Sequence, residues 1–355
     1  MYAKLFFYLF CVLSATQLQA QKTTIFGKII DKETKQPISG ANVYLSDTMV
    51  GTSADENGNY SFSTNFNGTF LLVATFVGYR TKKRIIEISY DSVLIENFEL
   101  NASISKLDEI VVTASNKEWR RNYDLFKKFF LGDDEFAQQT FIENPESIYF
   151  KRSNDKKTIS VYSEERIFMS NYALGYQVRV ALDNVVFDPF DNTGVYLIYP
   201  HFTQMESSSR KQNRTWKRNR TKGYIGSSRH FFKSLVSDKV KTNQFTILPN
   251  RNVIKKTDNI DLIKSLYPEH WGSIIGNYSS YLVSDINMSI SHRLDLDYIG
   301  NIVDHNQLSN LEIKNRHYLI LINNQGILYD PQSVQFLGKW SLDRFAKHLP
   351  LDYNP

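Results

Sequence analysis

The sequence predicts a mainly β protein: an N-terminal seven-stranded β-sandwich followed by a larger, strand-rich α+β domain. Three observations carry this. From residue 22 to residue 101, apolar and polar residues alternate in short runs, with turn residues about every 8–12 positions. The 355 residues are 14% aromatic (24 Phe, 21 Tyr, 4 Trp), and aromatic side chains favour strands. Apolar residues spaced three and four apart, the mark of helices, recur at only a few places. A hydrophobic content of 42% with 22% charge is ordinary for a globular chain, and the length suits about two domains at ~150 residues each. The net charge of +5 is spread over a long chain and gives no reason to expect nucleic acid as a partner.

The first element is an export signal. Lys4 is the only charge among residues 1–20, and an apolar run from Leu5 to Leu13 leads to Leu18-Gln19-Ala20. A basic start, a short apolar stretch and a small terminal residue predict a signal peptide cut after Ala20. The run falls short of the ~20 apolar residues that span a bilayer, and no transmembrane helix is expected after it. Cys11 lies inside this signal in a poor context for lipid modification. The mature chain would then hold no cysteine and no disulfide, which suits a bacterial envelope better than a eukaryotic secreted domain. The expected location is the periplasm or outer membrane, not as a lipoprotein.

The sandwich, residues 22–101, is read as follows. Thr24–Ile30 alternates and ends in a polar turn at Pro37. Ala41–Leu45 sets Val43 and Leu45 on one face against Asn42 and Tyr44 on the other. Asp55-Glu56-Asn57-Gly58 turns Val50–Ser53 into Tyr60–Thr64. Thr69–Phe76 is apolar almost throughout, as a strand covered on both faces would be. Arg80–Ile88 and Val93–Leu100 complete the set. Gly58 supplies a positive φ at its hairpin, Gly78 does the same before Tyr79, and Tyr79 anchors the corner as a core aromatic. Asp55-x-Asn57-x-Asn59 has the look of a calcium loop. The sixth and twelfth positions are Tyr60 and Phe66, however, so turn chemistry is the better reading.

These residues carry a resemblance. Gly27–Asp31, Pro37–Val43, Gly51-Thr52, Asp55–Tyr60 and Val77-Gly78-Tyr79 together resemble the carboxypeptidase regulatory-like domain. The resemblance implies a transthyretin-like sandwich without catalytic residues. It also implies kinship with the domain that precedes the plug of starch-utilisation-type TonB-dependent transporters, where a sequence similar to Leu107–Thr113 commonly follows.

Residues 102–116 read as a linker and 117–355 as a second, uncharacterised α+β domain. Trp119, Tyr123, Phe126 and Phe130 mark a helix that stops at Gly132, and Asp133 is expected to cap a second short helix through Gln139. Strands are expected at Ile148–Lys151, Thr158–Ser163, Gln177–Val186 and Val195–Tyr199. Between Arg210 and Lys222 seven of thirteen residues are basic and none is acidic. On a helix Arg210, Arg214, Lys217 and Arg218 share a face, and with Arg220 they form a candidate anion- or partner-binding patch. A solvated helix face is the plainer reading. Gly226-Ser227-Ser228 caps a further helix. Asn287–Leu296 and Asn315–Ile322 are strands, Asn323–Gly326 is a turn into Ile327–Tyr329, and Ser341 starts a last helix that Pro350 ends. The pieces Phe126–Gly132, Asn144-Pro145-Glu146, Asn171–Tyr176, Trp216-x-x-Asn219-Arg220, Tyr224–Ser227, Arg229-His230-Phe231 and Leu349–Tyr353 resemble the second half of a Gram-negative envelope family with an N-terminal regulatory-like domain. That resemblance implies no known activity.

Catalytic patterns are missing. No His-Glu-x-x-His occurs, and no histidine begins a His-x-x-Glu pair. No Gly-x-Ser-x-Gly elbow or phosphate-binding glycine loop is present. His201 and Glu206 lack a second convincing metal ligand, Ser153-x-x-Lys156 lacks companion motifs, and Arg229-His230 reads better as capping or packing than as an active-site pair. Neither catalytic residues, metal nor cofactor are therefore expected. The leading expectation is a non-enzymatic envelope protein that binds or assembles through its sandwich, with an envelope glycan or an outer-membrane protein complex as partner. The alternatives are an accessory protein of TonB-dependent uptake and an undescribed hydrolase.

Overall fold

The computed structural model describes residues 22–103, 116–248, 254–257, 261, 265, 278–283, 287–293, 306–313, 319–329 and 333–355. The expected signal peptide, Cys11 and the run Leu107–Thr113 lie outside the described residues.

The chain is strand-rich from the first described residues. Eight strands make up the sandwich: β1 (Thr23–Asp31), β2 (Asn42–Leu45), β3 (Gly51–Ser53), β4 (Asn59–Thr64), β5 (Gly68–Thr75), β6 (Lys82–Ile88), β7 (Val93–Ile95) and β8 (Phe98–Leu100). One sheet runs β4-β1-β7, with β8 continuing along β1, and the other runs β3-β2-β5-β6. Between them Ile25, Ile29, Val43, Leu45, Phe70 and Leu72 form a core buried at every position. The stretch expected as one strand, Val93–Leu100, is broken at Glu96-Asn97. Both halves run parallel to β1, and the carbonyl of Glu96 approaches Gly27 so closely that no side chain would fit there.

Asp55, Gly58 and Gly78 lie at turns, whereas Tyr79, expected as a core aromatic, is only partly buried and packs against the edge of the core. Asp55 Oδ1 accepts from the backbone N–H groups of Asn57 (2.9 Å) and Asn59 (2.8 Å), which holds the carboxyl below its usual range. Gly58 has φ +75°, and a β-carbon there would collide with the Ile29 carbonyl. Gly78, at φ +80°, turns the chain so that the Tyr79 hydroxyl donates to Asp31 Oδ2 at 2.8 Å.

The second part opens with α1 (Asn116–Leu131), which ends before Gly132 as its spacing predicts. Six strands follow: β9 (Thr140–Ile142), β10 (Ile148–Arg152), β11 (Ile159–Ser163), β12 (Ile167–Asn171), β13 (Tyr176–Asp188) and β14 (Thr193–Gln204). The thirteen-residue β13 organises this sheet. Its first half pairs with β12, its second half with β11, and its other edge with β14 along its length. Phe126, Phe129 and Phe130 of α1 pack on the sheet in a ring cluster with Phe187, Tyr196 and Phe345. Next come α2 (Arg210–Tyr224), α3 (Ser228–Val236) and strands β15 (Phe245–Leu248), β16 (Ile254–Thr257), β17 (Tyr278–Val283), β18 (Asn287–Arg293), β19 (Asn306–Ile313), β20 (Leu319–Asn323) and β21 (Val334–Gly338). Phe231 and Phe232 of α3 pack with Ile320, Ile322 and Trp340 in a separate cluster.

Two expected helices are absent. In place of a helix through Gln139 there is a single 3-10 turn, Ala137–Gln139, and the carboxylate that accepts the backbone N–H groups leading into it, those of Phe136 and Ala137, is Asp134 rather than Asp133. In place of a helix from Ser341 there are two such turns, Lys339–Leu342 and Phe345–Lys347. Each segment is too short to repay helix nucleation, and tertiary contacts hold it instead.

The sandwich is docked rather than tethered. The outer face of β2 and β5 presents Tyr44 and Val73, which are fully buried against Ala181 of β13 and Tyr199 of β14. The 46–49 loop pairs with β14 through a single parallel bridge, Thr48 with His201: Asp47 N donates to Pro200 O at 2.8 Å and Phe202 N to Thr48 O at 2.9 Å. The double-sided apolar character of β5 is thereby explained, because its two faces belong to two different cores.

Candidate functional site

Ser209 starts α2 by accepting the Gln212 N–H on its hydroxyl, the usual role of serine at a helix N-cap. The helix then divides by chemistry. Trp216, Asn219 and Arg220, spaced i, i+3 and i+4, face inward onto the four-residue loop between β12 and β13. The Trp216 indole donates to Tyr172 O at 2.8 Å and the Asn219 amide to Ala173 O at 2.8 Å. Arg220 Nε donates to Leu174 O at 2.7 Å and Nη2 to Gly175 O at 3.2 Å. Four successive loop carbonyls are thus capped by three side chains of one helix, and that of Gly175 also accepts the Met205 backbone N–H at 3.0 Å. Arg220 also lies 4.2 Å from the centre of the Tyr176 ring. Trp216 covers Gly175 so tightly that a β-carbon there would sit 2.3 Å from the indole.

The opposite face is cationic. Arg210, Lys211, Arg214, Lys217 and Arg218 are exposed, and among the described residues none of them forms an ion pair. At ~100° per residue they fall within an arc of about 120°. The structure therefore splits the candidate patch: Arg210, Arg214, Lys217 and Arg218 stand on one surface, whereas Arg220 turns inward to cap carbonyls, where burial holds its pKa below the usual value. Lys222 is paired with Glu135. Beside this face lies a cleft of about 900 Å³ whose lining includes Gln204, Glu206, Ser208, Asn213, Lys217 and Tyr353.

The other motif residues are also absorbed by backbone. Gly226 N–H donates to His230 Nδ1 (3.2 Å), and the Trp340 indole donates to Gly226 O (2.7 Å). Arg229 donates to Pro350 O (2.9 Å) and Leu351 O (3.1 Å), gripping the C-terminal segment. That segment reaches the sandwich, where Leu351 N donates to Asp47 O at 2.7 Å and Asp352 accepts the Met49 N–H at 2.6 Å. Asn144 Oδ1 accepts Phe168 N–H and its amide donates to Arg166 O, tying β12 to the preceding turn. His201 is stacked on Tyr44 at 5.0 Å, far from the role of a metal ligand with Glu206. Burial, together with Arg166 and Arg179, pushes its pKa down to about 4. Among the described residues no group of three His, Cys, Asp or Glu side chains is placed to hold a metal ion.

With this geometry in place, the N-terminal sandwich can be related to known proteins. Residues 25–112 match the family model of the CarboxypepD_reg-like domain. The chain is 31% identical over 93 residues to the TonB-dependent receptor SusC of Bacteroides thetaiotaomicron, covering 26% of this chain and 8% of that protein. It is 32% identical over 112 residues to the TonB-dependent receptor P39 of Formosa agariphila, covering 32% of this chain and 10% of that protein. The chain thus spans a tenth or less of the length of these receptors. A solved type II cohesin–X–dockerin complex from Acetivibrio cellulolyticus aligns at 25% identity over 21% of this chain and 51% of that one. Its TM-score of 0.18 is too low to support any inference. The family match is a regulatory-like domain, and these two curated relatives are receptors. Among the described residues no helix is long and apolar enough to cross a membrane.

Proposed function

We propose that this is an exported, non-enzymatic cell-envelope protein whose CarboxypepD_reg-like domain (22–101) binds an envelope partner and whose second domain (117–355) is the body that holds it. Export follows from the signal-like residues 1–20, with no lipid anchor on Cys11. The observation that carries the binding role is the asymmetry of the sandwich. One sheet is covered by β13 and β14, while the outer face of the other exposes Phe26, Val93 and Ile95 side by side along β1 and β7. An apolar strip beside an edge strand suits a protein partner that pairs or packs along it. The motif residues supply no competing chemistry, since Trp216, Asn219, Arg220 and Arg229 all serve backbone carbonyls.

The test is affinity capture from intact envelopes with the full chain and with a Val93→Lys/Ile95→Lys variant, followed by mass spectrometry of bound proteins and glycans. A partner held by the unmodified chain and lost by the variant is expected. Identical captures by both would refute the role of this face.

A second reading, an accessory protein of TonB-dependent uptake, is favoured by the likeness of part of the chain to two TonB-dependent receptors. It predicts that the captured partner is itself a receptor of that class.

A further inference from the structure

The cationic face of α2 has no part in holding the fold together. Its five exposed cations make no ion pair among the described residues, and the packing of the helix is carried by Trp216, Asn219, Arg220 and Tyr224 on the other side. Arg210, Arg214 and Arg218 succeed one another at one-turn intervals, about 6 Å each along the axis. That spacing matches a ligand with repeated negative charges better than a single small anion.

We infer that this face, together with the adjoining cleft, binds an anionic polysaccharide. Two observations favour a glycan over a lipid surface. The helix face carries no exposed large apolar side chain among its cations, so nothing on it inserts into a bilayer. The cleft adds the exposed groups of Gln204, Glu206 and Ser208, an amide, a carboxylate and a hydroxyl, which suit sugar hydroxyls and have no counterpart in a planar phosphate surface. Lys217 belongs to both the face and the cleft, and so joins the charge-reading surface to the hydroxyl-reading one. Glu206 in the cleft disfavours a dense polyphosphate and tolerates a polyuronate whose charges alternate with hydroxyls. The choice of a glycan as natural ligand rests on the envelope placement proposed above. Binding in vitro does not, so export and binding can fail separately.

The experiment immobilises alginate, inorganic polyphosphate, neutral dextran and phosphatidylglycerol vesicles and measures retention of the purified full chain. Retention on alginate is expected, with little on dextran and less on vesicles. An Arg210→Glu/Arg214→Glu/Arg218→Glu variant should lose about tenfold or more in affinity, and added salt should weaken the unmodified chain in the same direction. A Gln204→Ala/Ser208→Ala variant should weaken alginate binding while leaving retention on inorganic polyphosphate unchanged. Equal affinity of the charge-reversed and unmodified chains, with circular dichroism showing both folded, overturns the inference. So does preferential binding to vesicles, or an alginate affinity untouched by the cleft variant. Fractionation of cells expressing the chain tests export on its own.

Discussion

The hydroxyl of Tyr44, on β2 of the sandwich, donates a hydrogen bond to the backbone carbonyl of Tyr199, on β14, across 2.9 Å and 155 residues of sequence. Both rings are buried in the small apolar cluster that also holds Val73 and Ala181. Beside it Lys83 pairs with Asp183 at 2.5 Å, and the Tyr199 hydroxyl donates to the same carboxylate at 2.6 Å. This seam makes the CarboxypepD_reg-like domain a fixed part of the molecule.

The seam predicts two graded effects. Tyr44→Phe removes the one hydroxyl that donates across the seam to the Tyr199 carbonyl and should cost about 1 kcal/mol. Val73→Asp places an unpaired charge in the apolar cluster and should cost more, several kcal/mol by order of magnitude, or undock the sandwich outright. Chemical denaturation followed by tryptophan and tyrosine fluorescence would measure both. Because all four tryptophans lie beyond residue 116, an undocked sandwich appears as a separate transition seen by tyrosine alone.

Arg220 and Arg214 look alike in sequence and should behave differently. Arg220→Lys loses the forked donation to Leu174 and Gly175 and the stacking on Tyr176, with an expected cost of about 2 kcal/mol. Arg214→Lys, on the exposed face, should lie within about 0.5 kcal/mol of the unmodified protein. Thermal melts of the two variants decide this directly, and equal melting points would contradict the inward role of Arg220.

Arg229 grips the C-terminal segment through carbonyls of Leu349, Pro350, Leu351 and Tyr353. Arg229→Met keeps the bulk of the side chain but removes every donor. The segment should then be trimmed by carboxypeptidase much faster than in the unmodified protein. Since Leu351 and Asp352 hold the 46–49 loop, docking of the sandwich should weaken with it.

His201 gives a pH dependence of definite sign. Burial, with Arg166 and Arg179 nearby, lowers its pKa from 6.5 to about 4, while a hydrogen bond with the Met49 backbone acts the other way. Below pH 6.5 the unfolded chain takes up a proton that the folded chain refuses. Stability is therefore full above 6.5 and falls as the pH drops toward 4, by up to about 3 kcal/mol. Carboxylates held low in the fold, such as Asp31 and Asp55, add an acid loss of their own in any variant. The informative quantity is consequently the difference between the melting curves of the unmodified chain and His201→Gln over pH 4–7. That difference should narrow as pH falls, and parallel curves would assign the acid sensitivity elsewhere.

Much of this was legible in the residues because it is local. Alternation fixed the strands of the sandwich, Ser209 and Ser227 marked two helix starts, and Gly58 marked a hairpin that only a positive φ can close. The two-faced apolar run of β5 even announced a second covering layer, although not what would cover it. Other features were hidden because they depend on partners distant in sequence. The short strands β9 and β12 have little pattern of their own and are held by pairing with each other and with β13. The segments after Asp133 and Ser341 carry helix-start chemistry, but their places are set by tertiary contacts such as Lys347 with Asp134 at 2.7 Å.

The sequence by itself determined a strand-rich chain, an N-terminal sandwich of the CarboxypepD_reg-like type and a cluster of seven basic residues on one helix. Only the tertiary structure decided which of those cations face solvent and which cap carbonyls. It alone also decided that the sandwich is docked through β2 and β5 onto β13 and β14. The reason is physical: local sequence sets backbone conformation and periodicity, whereas burial and hydrogen-bond satisfaction depend on which distant carbonyl or apolar face arrives alongside.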